Sequence, residues 1–382
     1  MTPTFNYKIY SQLSDINDET WQACFSDHCF ISYPFLQLLE QTHCVSTQTG
    51  WQPFHIVIFD DENNAVATLP GYIKDHSYGE YVFDWAWADA YQKYGLDYYP
   101  KWVCGVPFTP VTENRIGVNG ELTQVLVEFI HQTLNKLATK HAWSGWHINF
   151  CHENEQQLLS NQGAMPRRGV QFSWHNRDYQ NFNDFLAHLT ARKRKSIKKE
   201  RQKALSQIDE IKVLTAAEVT DHDMALFYQF YANTYLKRSG HTGYLTEAFF
   251  NQLYVAMRDN LVLVKAYTQQ QVVAASLFFK HNDCLFGRYW GAIEEFDCLH
   301  FELCYYQGIE YSIGHKLRYF NAGAQGEHKI LRGFEPEYTY SAHHITSELF
   351  QGPIDSYLKQ EWQNIAHYKT QCSALLPFNK LK

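Results

Sequence analysis

The stretch 285–333 restricts the possible folds more than any other part of the sequence. It begins with an apolar, aromatic segment from Leu285 to Trp290, which is typical of a strand. An acidic turn, a helical pattern over 299–316 and a short apolar segment over 317–320 follow. This order predicts an α/β unit, and ligands of such units bind beyond the carboxyl ends of the strands. We therefore expect a site at the polar loop 321–326.

The predicted helix of this unit carries a polar line. Glu302, Tyr306 and Glu310 recur at i, i+4 and i+8, which places them on one helical face. The other faces are largely apolar, so we expect this line to face a half-buried cleft. The alternative is a strand–helix–strand unit that only packs, with solvated loops.

The length of 382 residues favours two domains, and we predict them at 1–178 and 179–382. Each half shows a hairpin, an aromatic strand, a long helix and a short strand in the same order. The expected fold class is therefore α/β, with a mixed α+β sheet in each half.

Charge and cysteine usage exclude several classes of protein. The net charge of −7 argues against general coating of nucleic acid. The nine cysteines are odd in number and lack CxxC pairs, which indicates reduced thiols in a cytoplasm. Neither a signal peptide nor a transmembrane segment is expected. We predict no metal site. The candidate ligands Cys298, His300, Glu302 and Cys304 lie on one predicted helix, and the sequence has no second pair of ligands at the spacing of a zinc site.

A basic run over 190–204 stands out in this acidic chain. As a helix it presents a dense positive face, and we predict that this face binds a polyanion through Arg192, Arg194, Lys195, Lys198 and Lys199. RNA, a pyrophosphate-linked lipid and a phosphorylated carrier remain open as partners. A solvated face that pairs with acids elsewhere is the alternative.

Four segments together resemble a known family. They are LPGYIKDHSYGEYVFDWAWADAY (69–91), KWVCGVPFTPVTENR (101–115), GRYWGAIEEFDCLHFELCYYQGIEY (287–311) and AGAQGEHKILRGFEP (322–336). They resemble bacterial predicted N-acyltransferases of the FemAB-like superfamily, often labelled peptidoglycan-biosynthesis proteins. The resemblance implies two tandem GNAT-like acyltransferase domains, with the active site in the second.

The wider FemAB and FemX group is similar in looser ways. Its members carry a basic helix at the start of the second domain, and RKSIKK (194–199) matches it in character. These enzymes use aminoacyl-tRNA to extend the peptide bridge of a lipid-linked peptidoglycan precursor. The resemblance thus implies charged tRNA as a candidate donor and that precursor as a candidate acceptor, in the cytoplasm or peripherally at the inner membrane.

The turn before the second long helix departs from acetyl-CoA enzymes. Those carry a glycine-rich turn whose amides hold the pyrophosphate. Here the equivalent AIEEFDCLH (292–300) has three acids and no glycine, and carboxylates would repel a pyrophosphate. We therefore expect an acyl donor as co-substrate, no cofactor, and a donor other than acetyl-CoA.

These observations lead to assigned roles. Glu327 or His328 is the predicted general base, and Tyr306 the acid for the leaving group. The predicted substrate-binding residues are Arg288, Tyr289, Trp290, Glu302, Gln325 and Arg332. Core packing is the alternative for Tyr306 and Trp290, and a loop ion pair is the alternative for Glu327 and His328.

Three hypotheses of function follow. The first is an acyl- or aminoacyltransferase that acts directly on an acceptor amine. The second is a CoA- or carrier-protein-dependent N-acyltransferase that acts on a small amine. The third is a catalytically inactive GNAT tandem that serves as a binding module.

Overall fold

The computed structural model describes residues 4–324 and 326–379. The chain divides into two compact units. Unit 1 comprises the chain up to Val170 together with Tyr338–His367, and unit 2 comprises Gln171–Glu337 together with the chain from Tyr368 onward. The predicted domain division places 338–367 in the second half, whereas these residues pack in unit 1.

Unit 1 contains two sheets. The smaller is antiparallel, in the order β1-β3-β4-β7. The larger joins β2, β5, β6 and β8, and β8 pairs with the second half of β15. Only β6 and β8 are parallel in this sheet within the described residues. The strands are β1 (Asn6–Tyr10), β2 (Trp51–Pro53), β3 (His55–Phe59), β4 (Ala65–Leu69), β5 (Gly71–Lys74), β6 (Lys101–Cys104), β7 (Gly117–Val118) and β8 (Gly145–Cys151). The residues of β9 (Met165–His175) and β15 (Phe334–Ile345) are divided between the two units.

The helices of unit 1 cover these sheets with apolar faces. The long helix α4 buries Val127, Ile130 and Leu134 in a core shared with Trp102 and Trp146. The helices are α1 (Asp18–Cys24), α2 (Tyr33–Gln41), α3 (Trp85–Lys93), α4 (Gln124–Lys140), α5 (Glu153–Ser160) and the part of α12 (Glu348–Ala374) up to His367. Short 3-10 turns lie at Leu13–Asp15 and Thr47–Thr49.

Unit 1 also buries a cluster of charges in the aromatic region after β5. Lys101 is fully buried, and its ammonium donates to Ser77 Oγ at 2.8 Å and Glu80 Oε2 at 2.9 Å. It also donates to Asp84, whose carboxylate accepts from the Tyr98 hydroxyl at 2.6 Å. Several partners are needed here because an unpaired buried charge is costly.

Unit 2 is built on one sheet in the order β10-β11-β12-β13-β14, with β14 paired to the second half of β9. The pairing of β13 with β14 is parallel, so this sheet is mixed as well. The additional strands are β10 (Glu210–Thr215), β11 (Leu261–Thr268), β12 (Gln271–His281), β13 (Cys284–Ala292) and β14 (Tyr319–Asn321). The predicted hairpin, aromatic strand, helix and short strand are thus present.

The helices of unit 2 include one irregular element. Residues 299–314 form a continuous helix whose middle, Glu302–Tyr306, is π-helical. The helices are α6 (Phe182–Ala187), α7 (Ala191–Leu205), α8 (Asp221–Ser239), α9 (Glu247–Ala256), α10 (Leu299–Phe301) and α11 (Gln307–Gly314). Single 3-10 turns lie at Ala216–Glu218, Arg258–Asn260 and Glu327–Arg332.

Proline marks two strand boundaries in unit 1. The segment 65–74 is divided at Pro70 into β4 and β5, which join different sheets. The strand β6 ends at Cys104 and does not continue through the following residues, because Pro107 has no N–H for a ladder and Phe108 adopts a φ of 57°. The helix α9 and the strand β15 were not anticipated from the sequence pattern.

The close approach of α8 to β13 generates a prediction about stability. A Cβ at Gly291 would lie 2.3 Å from the Phe230 backbone, whereas a Cβ at Gly314 would meet nothing within 4 Å. We expect Gly291→Ala to lower the free energy of unfolding by about 1–3 kcal/mol through overpacking. Gly314→Ala is the control and should raise it by up to about 1 kcal/mol. Equal stabilities in urea unfolding would contradict this packing.

Candidate active site

The site lies in unit 2, where β13 and β14 separate. The two strands pair over only three positions, the last joining Phe286 to Asn321, and β13 then continues to Ala292. A cavity of about 100 Å³ opens where pairing ends. It is lined by Ser276, Leu277, Phe278, Gly287, Arg288, Tyr289, Trp290, His300, Cys304, Tyr305 and Ala322.

Two backbone irregularities shape this cavity. Opposite β12, Leu277 pairs with Tyr289 and Phe278 pairs with Gly287, so Arg288 is the extra residue of a β-bulge. Bulges re-aim side chains and recur next to active sites. On the other side, the π-helical turn changes the spacing along the helix, and Ser276 Oγ donates to the Leu303 carbonyl at 2.9 Å.

Tyr305 connects the cavity to a basic group. Its hydroxyl lies 2.8 Å from His328 Nε2, and His328 is exposed whereas Tyr305 is buried. Burial, followed by the charges of Arg332 and Lys329, lowers the pKa of His328. Burial raises the pKa of Tyr305. His328 is therefore neutral at pH 7 and able to accept a proton that arrives from the cavity through Tyr305.

Lys329 is a second basic group next to the cavity. It is buried, and its Nζ donates to the Gly323 carbonyl at 2.6 Å, one residue beyond the cavity-lining Ala322. Burial lowers its pKa to about 7, Cys304 opposes this shift, and the positive charge of Arg288 adds to it. The neutral amine is therefore accessible at far lower pH than for an ordinary lysine.

The predicted polar line of the helix contacts α7 rather than an open cleft. Arg201 donates to both oxygens of Glu302, at 3.0 and 2.8 Å, and to Glu310 Oε2 at 2.7 Å. Glu200 accepts from the Tyr306 hydroxyl and, at 2.7 Å, from Arg332 Nη2. Glu302 and Tyr306 are fully buried as a result. The expectation of a half-buried cleft at this face was wrong, because side chains of the neighbouring helix α7 cover the polar line and form its hydrogen bonds and ion pairs.

The structure brings some of the predicted residues together and separates others. Arg288, Tyr289 and Trp290 line the cavity, and His328 reaches it through Tyr305. Arg332 holds Tyr306 Oη at 3.0 Å and stacks over Phe301 at 3.7 Å. Glu327 is exposed and accepts from the Tyr368 hydroxyl at 2.8 Å. Gln325 lies outside the described residues.

The basic helix α7 divides into two parts. In its last turns, Arg201 binds Glu302, and the Nζ of Lys203 lies 2.8 Å from a carboxylate oxygen of Asp297. The five predicted polyanion-binding residues are exposed or half-exposed, and none of them forms an ion pair with another described residue. Beside them, Phe182, Leu186, Leu205 and Lys198 line an open groove of about 540 Å³ between α6 and α7.

Neither a metal-binding cluster nor a membrane-spanning helix occurs in the described ranges 4–324 and 326–379. No group of three or more His, Cys, Asp or Glu side chains there could hold a metal ion. In the same ranges, every helix is too short or too polar to span a bilayer.

Comparison with known families decides the membership of the chain. The profile of the FemAB-like family, described as peptidoglycan biosynthesis/recognition, matches residues 12–380. The chain belongs to the FemAB-like family. Among curated proteins, none is similar enough in sequence to count as a match.

Solved structures confirm the fold of this FemAB-like chain. A crystal structure of FemX aligns with a TM-score of 0.53 at 11% identity, covering 90% of this chain and 99% of FemX. A conserved protein of unknown function from Bacteroides thetaiotaomicron aligns with a TM-score of 0.52 at 12% identity, covering 90% and 100%. The predicted fold class, a mixed α/β chain with two tandem GNAT-like domains, is confirmed.

The contacts of Arg201 generate a prediction about the FemAB-like chain. Arg201→Met would leave the fully buried Glu302 without its bidentate partner, so we expect a loss of about 3–5 kcal/mol in unfolding free energy. The control Glu310→Gln removes a carboxylate whose side chain is 42% exposed and should cost less than about 1 kcal/mol. If both variants lose a similar free energy of unfolding, the buried pair of Arg201 and Glu302 does not stabilise the fold more than the exposed contact of Glu310.

The lowered pKa of Lys329 predicts how stability depends on pH. The folded protein releases this proton near pH 7, whereas the unfolded chain keeps it until about its ordinary value of 10.5. The unfolded state therefore binds more protons between these values, and stability rises with pH there. Relative to Lys329→Met, the wild type should gain up to about 1.4 kcal/mol per pH unit above pH 7. Parallel stability curves from pH 6 to 10 would contradict the shifted pKa.

Proposed function

We propose that this FemAB-like protein is an N-acyltransferase that moves an acyl or aminoacyl group from an activated donor to an acceptor amine. The observation that carries the proposal is the cavity at the separation of β13 and β14, linked through Tyr305 to His328. A cavity with convergent polar groups and a neutral base at its edge suits attack of an amine on a carbonyl.

The reaction needs no covalent enzyme intermediate. The acceptor arrives as an ammonium ion and first loses a proton, because a lysine-like amine has a pKa near about 10.4. The amine nitrogen then attacks the donor carbonyl, an amide C–N bond forms, and the bond from the carbonyl carbon to the donor oxygen or sulfur breaks. The leaving group takes up a proton, so atoms and charges balance.

His328 is the proposed base, acting through Tyr305. The amine proton passes to the Tyr305 oxygen while the Tyr305 hydroxyl proton passes to His328 Nε2, across the 2.8 Å contact. His328 is exposed and releases the proton to water. Tyr305, rather than Tyr306, is then the tyrosine at the reacting atoms, because the Tyr306 hydroxyl is held by Glu200 and Arg332.

The exposed part of α7 is the proposed site for a polyanionic substrate. Arg192, Arg194, Lys195, Lys198 and Lys199 present positive charge that the described part of the chain leaves unneutralised. Charged tRNA is the candidate donor for this surface, as the resemblance to FemAB and FemX enzymes implies. A lipid-linked peptidoglycan precursor is the candidate acceptor, in keeping with the family description of peptidoglycan biosynthesis/recognition. Either partner would bind with a steep dependence on salt.

A donor other than acetyl-CoA remains part of the proposal. The turn after β13 exposes Glu294 and Glu295 at the start of the helix 299–314, where a pyrophosphate would otherwise find backbone amides. A screen of labelled acetyl-CoA, other acyl thioesters and charged tRNA against amine acceptors separates the possibilities. Transfer from acetyl-CoA alone would overturn the donor assignment, and binding of RNA without transfer from any donor would indicate a binding module.

The role of His328 predicts the pH dependence of turnover. Loss of a general base lowers rates by about 10²–10⁴, so His328→Gln should reduce kcat by at least about 100-fold. Because the pKa of His328 is lowered, the wild type should lose activity only as pH falls below its ordinary value near 6.5. This acidic limb should be absent from the residual activity of His328→Gln.

Two matched variants make this test specific. His315→Gln replaces a histidine of the same unit that stacks on Tyr311, and it should retain wild-type turnover. Glu327→Gln separates the two predicted bases. We expect a loss of less than about tenfold, because the exposed Glu327 accepts from the half-buried Tyr368 and not from Tyr305. A large loss in Glu327→Gln with normal turnover in His328→Gln would reverse the assignment.

A further inference from the structure

His300 is a polar group of the cavity for which the mechanism above has no role. It is the second residue of the helix that begins at Leu299, and its half-buried side chain lines the cavity where β13 and β14 separate. Neither of its ring nitrogens is hydrogen-bonded to another residue in the described part of the chain. The imidazole is therefore available to a molecule that enters the cavity.

Four rings hold this imidazole in place. The ring centroids of Trp290 and Tyr305 each lie 5.4 Å from that of His300, and both rings are nearly perpendicular to it. Phe301 and His328 pack against it as well, with centroids at 5.6 and 6.4 Å. Edge-to-face packing of this kind fixes the plane of a ring and leaves its nitrogens without a conventional hydrogen bond. The hydrogen-bonding capacity of His300 is thus oriented by its neighbours but not used by them.

His300 is suited to donate a hydrogen bond and not to act as a base. Burial lowers the pKa of His300 to about 3, and nearby cationic groups, Arg238 foremost, act in the same direction. At neutral pH the ring therefore carries one proton, so that one nitrogen donates and the other accepts. Such a ring cannot retain a proton taken from an ammonium ion, which leaves that task to Tyr305 and His328. A neutral imidazole can still polarise a carbonyl group.

The position of His300 beside Tyr305 matches the geometry of the reacting carbon. In the tetrahedral intermediate, the attacking nitrogen and the oxyanion are bonded to the same carbon atom. The group that takes the amine proton and the group that donates to the oxyanion must therefore be neighbours. Tyr305, whose hydroxyl lies 2.8 Å from His328 Nε2, packs its ring directly against His300, and both residues line the cavity.

We infer that the N–H of His300 donates a hydrogen bond to the carbonyl oxygen of the acyl donor and stabilises the oxyanion of the tetrahedral intermediate. The inference rests on the proposed acyltransferase function and adds a catalytic residue to it. As the amine nitrogen bonds to carbon, the C=O electron pair moves to oxygen, and the imidazole keeps its proton while it donates. The pair returns when the bond to the donor oxygen or sulfur breaks. A donor aimed at a developing charge lowers the barrier more than it strengthens substrate binding.

Other donors of the lining are the competitors for this role. Ser276 Oγ already donates to the Leu303 carbonyl at 2.9 Å. The Cys304 thiol interacts with Ser276 and is a weak donor. Trp290 and Arg288 also carry N–H groups in the lining, so variants of both serve as comparisons.

The test measures transfer by the full-length protein with the most active donor and amine from the screen of acetyl-CoA, other acyl thioesters and charged tRNA. His300→Phe keeps an aromatic ring and removes the N–H, so we expect kcat to fall by about 10²–10³ while KM changes by less than about threefold. His300→Gln retains a donor and should recover at least about tenfold of that loss. His315→Gln, at a histidine that stacks on Tyr311, is the control and should match the wild type.

Nuclear magnetic resonance tests the charge state of His300 without any substrate. In protein labelled with ¹⁵N-histidine, the ring signals that disappear in His300→Phe belong to this residue. We expect these signals to stay at their neutral positions from about pH 5 to about pH 8, where an ordinary histidine titrates. Titration near the ordinary value of 6.5 would make His300 a base and overturn the inference.

Other results overturn the inference while the acyltransferase proposal stands. Wild-type kcat in a folded His300→Phe would do so, and so would a loss of kcat confined to Trp290→Phe or Arg288→Gln, because the oxyanion would then lie at another donor. If His300→Phe lowers the thermal stability, His300→Leu with a wild-type Tm carries the same expectation. Absence of transfer by the wild type from every donor would reject the transferase proposal and the inference together.

Discussion

The early end of pairing between β13 and β14 is the constraint on which the site depends. Parallel strands that stay paired leave no room between them, whereas these two share three positions before β13 continues alone. The bulge at Arg288 and the π-helical turn at Glu302–Tyr306 border the same opening. Each irregularity breaks a local hydrogen-bonding rule, and such breaks concentrate where a chain performs chemistry.

The contacts of α7 keep the irregular helix in place. A π-helical turn disrupts the regular hydrogen bonding of a helix. Here the ion pair of Arg201 with Glu302 and the hydrogen bond from Tyr306 to Glu200 fix the outer face of the turn, and Ser276 Oγ donates to the Leu303 carbonyl. The helix α7 also presents exposed basic residues, on the turns that precede Glu200 and Arg201. The helix α7 thus supports the wall of the cavity and also carries the proposed polyanion-binding surface.

The sequence predicted most elements of unit 2 but not the tyrosine at the cavity. The strand, helix and short strand over 285–321 and the helical basic run were confirmed within a few residues. The α-helical spacing of the sequence predicts Tyr306 as the tyrosine of the site. In the structure this turn is π-helical, and Tyr305 lines the cavity instead of Tyr306. Lys329 and Ser276 depend on pairing between distant segments, which residue types alone do not reveal. The predicted roles of Glu327, Glu302 and Gln325 stay predictions.

The most direct measurement of the central claim is single-turnover transfer by Ala322→Trp, with the donor that the screen identifies. Ala322 lines the cavity where β14 has ended, and a tryptophan there would fill the space between the strands. If transfer occurs in this cavity, the rate falls by at least about 100-fold because the carbonyl can no longer reach its position, while thermal stability and binding of polyanions to α7 are retained. An unchanged rate in the folded variant would place the reaction elsewhere.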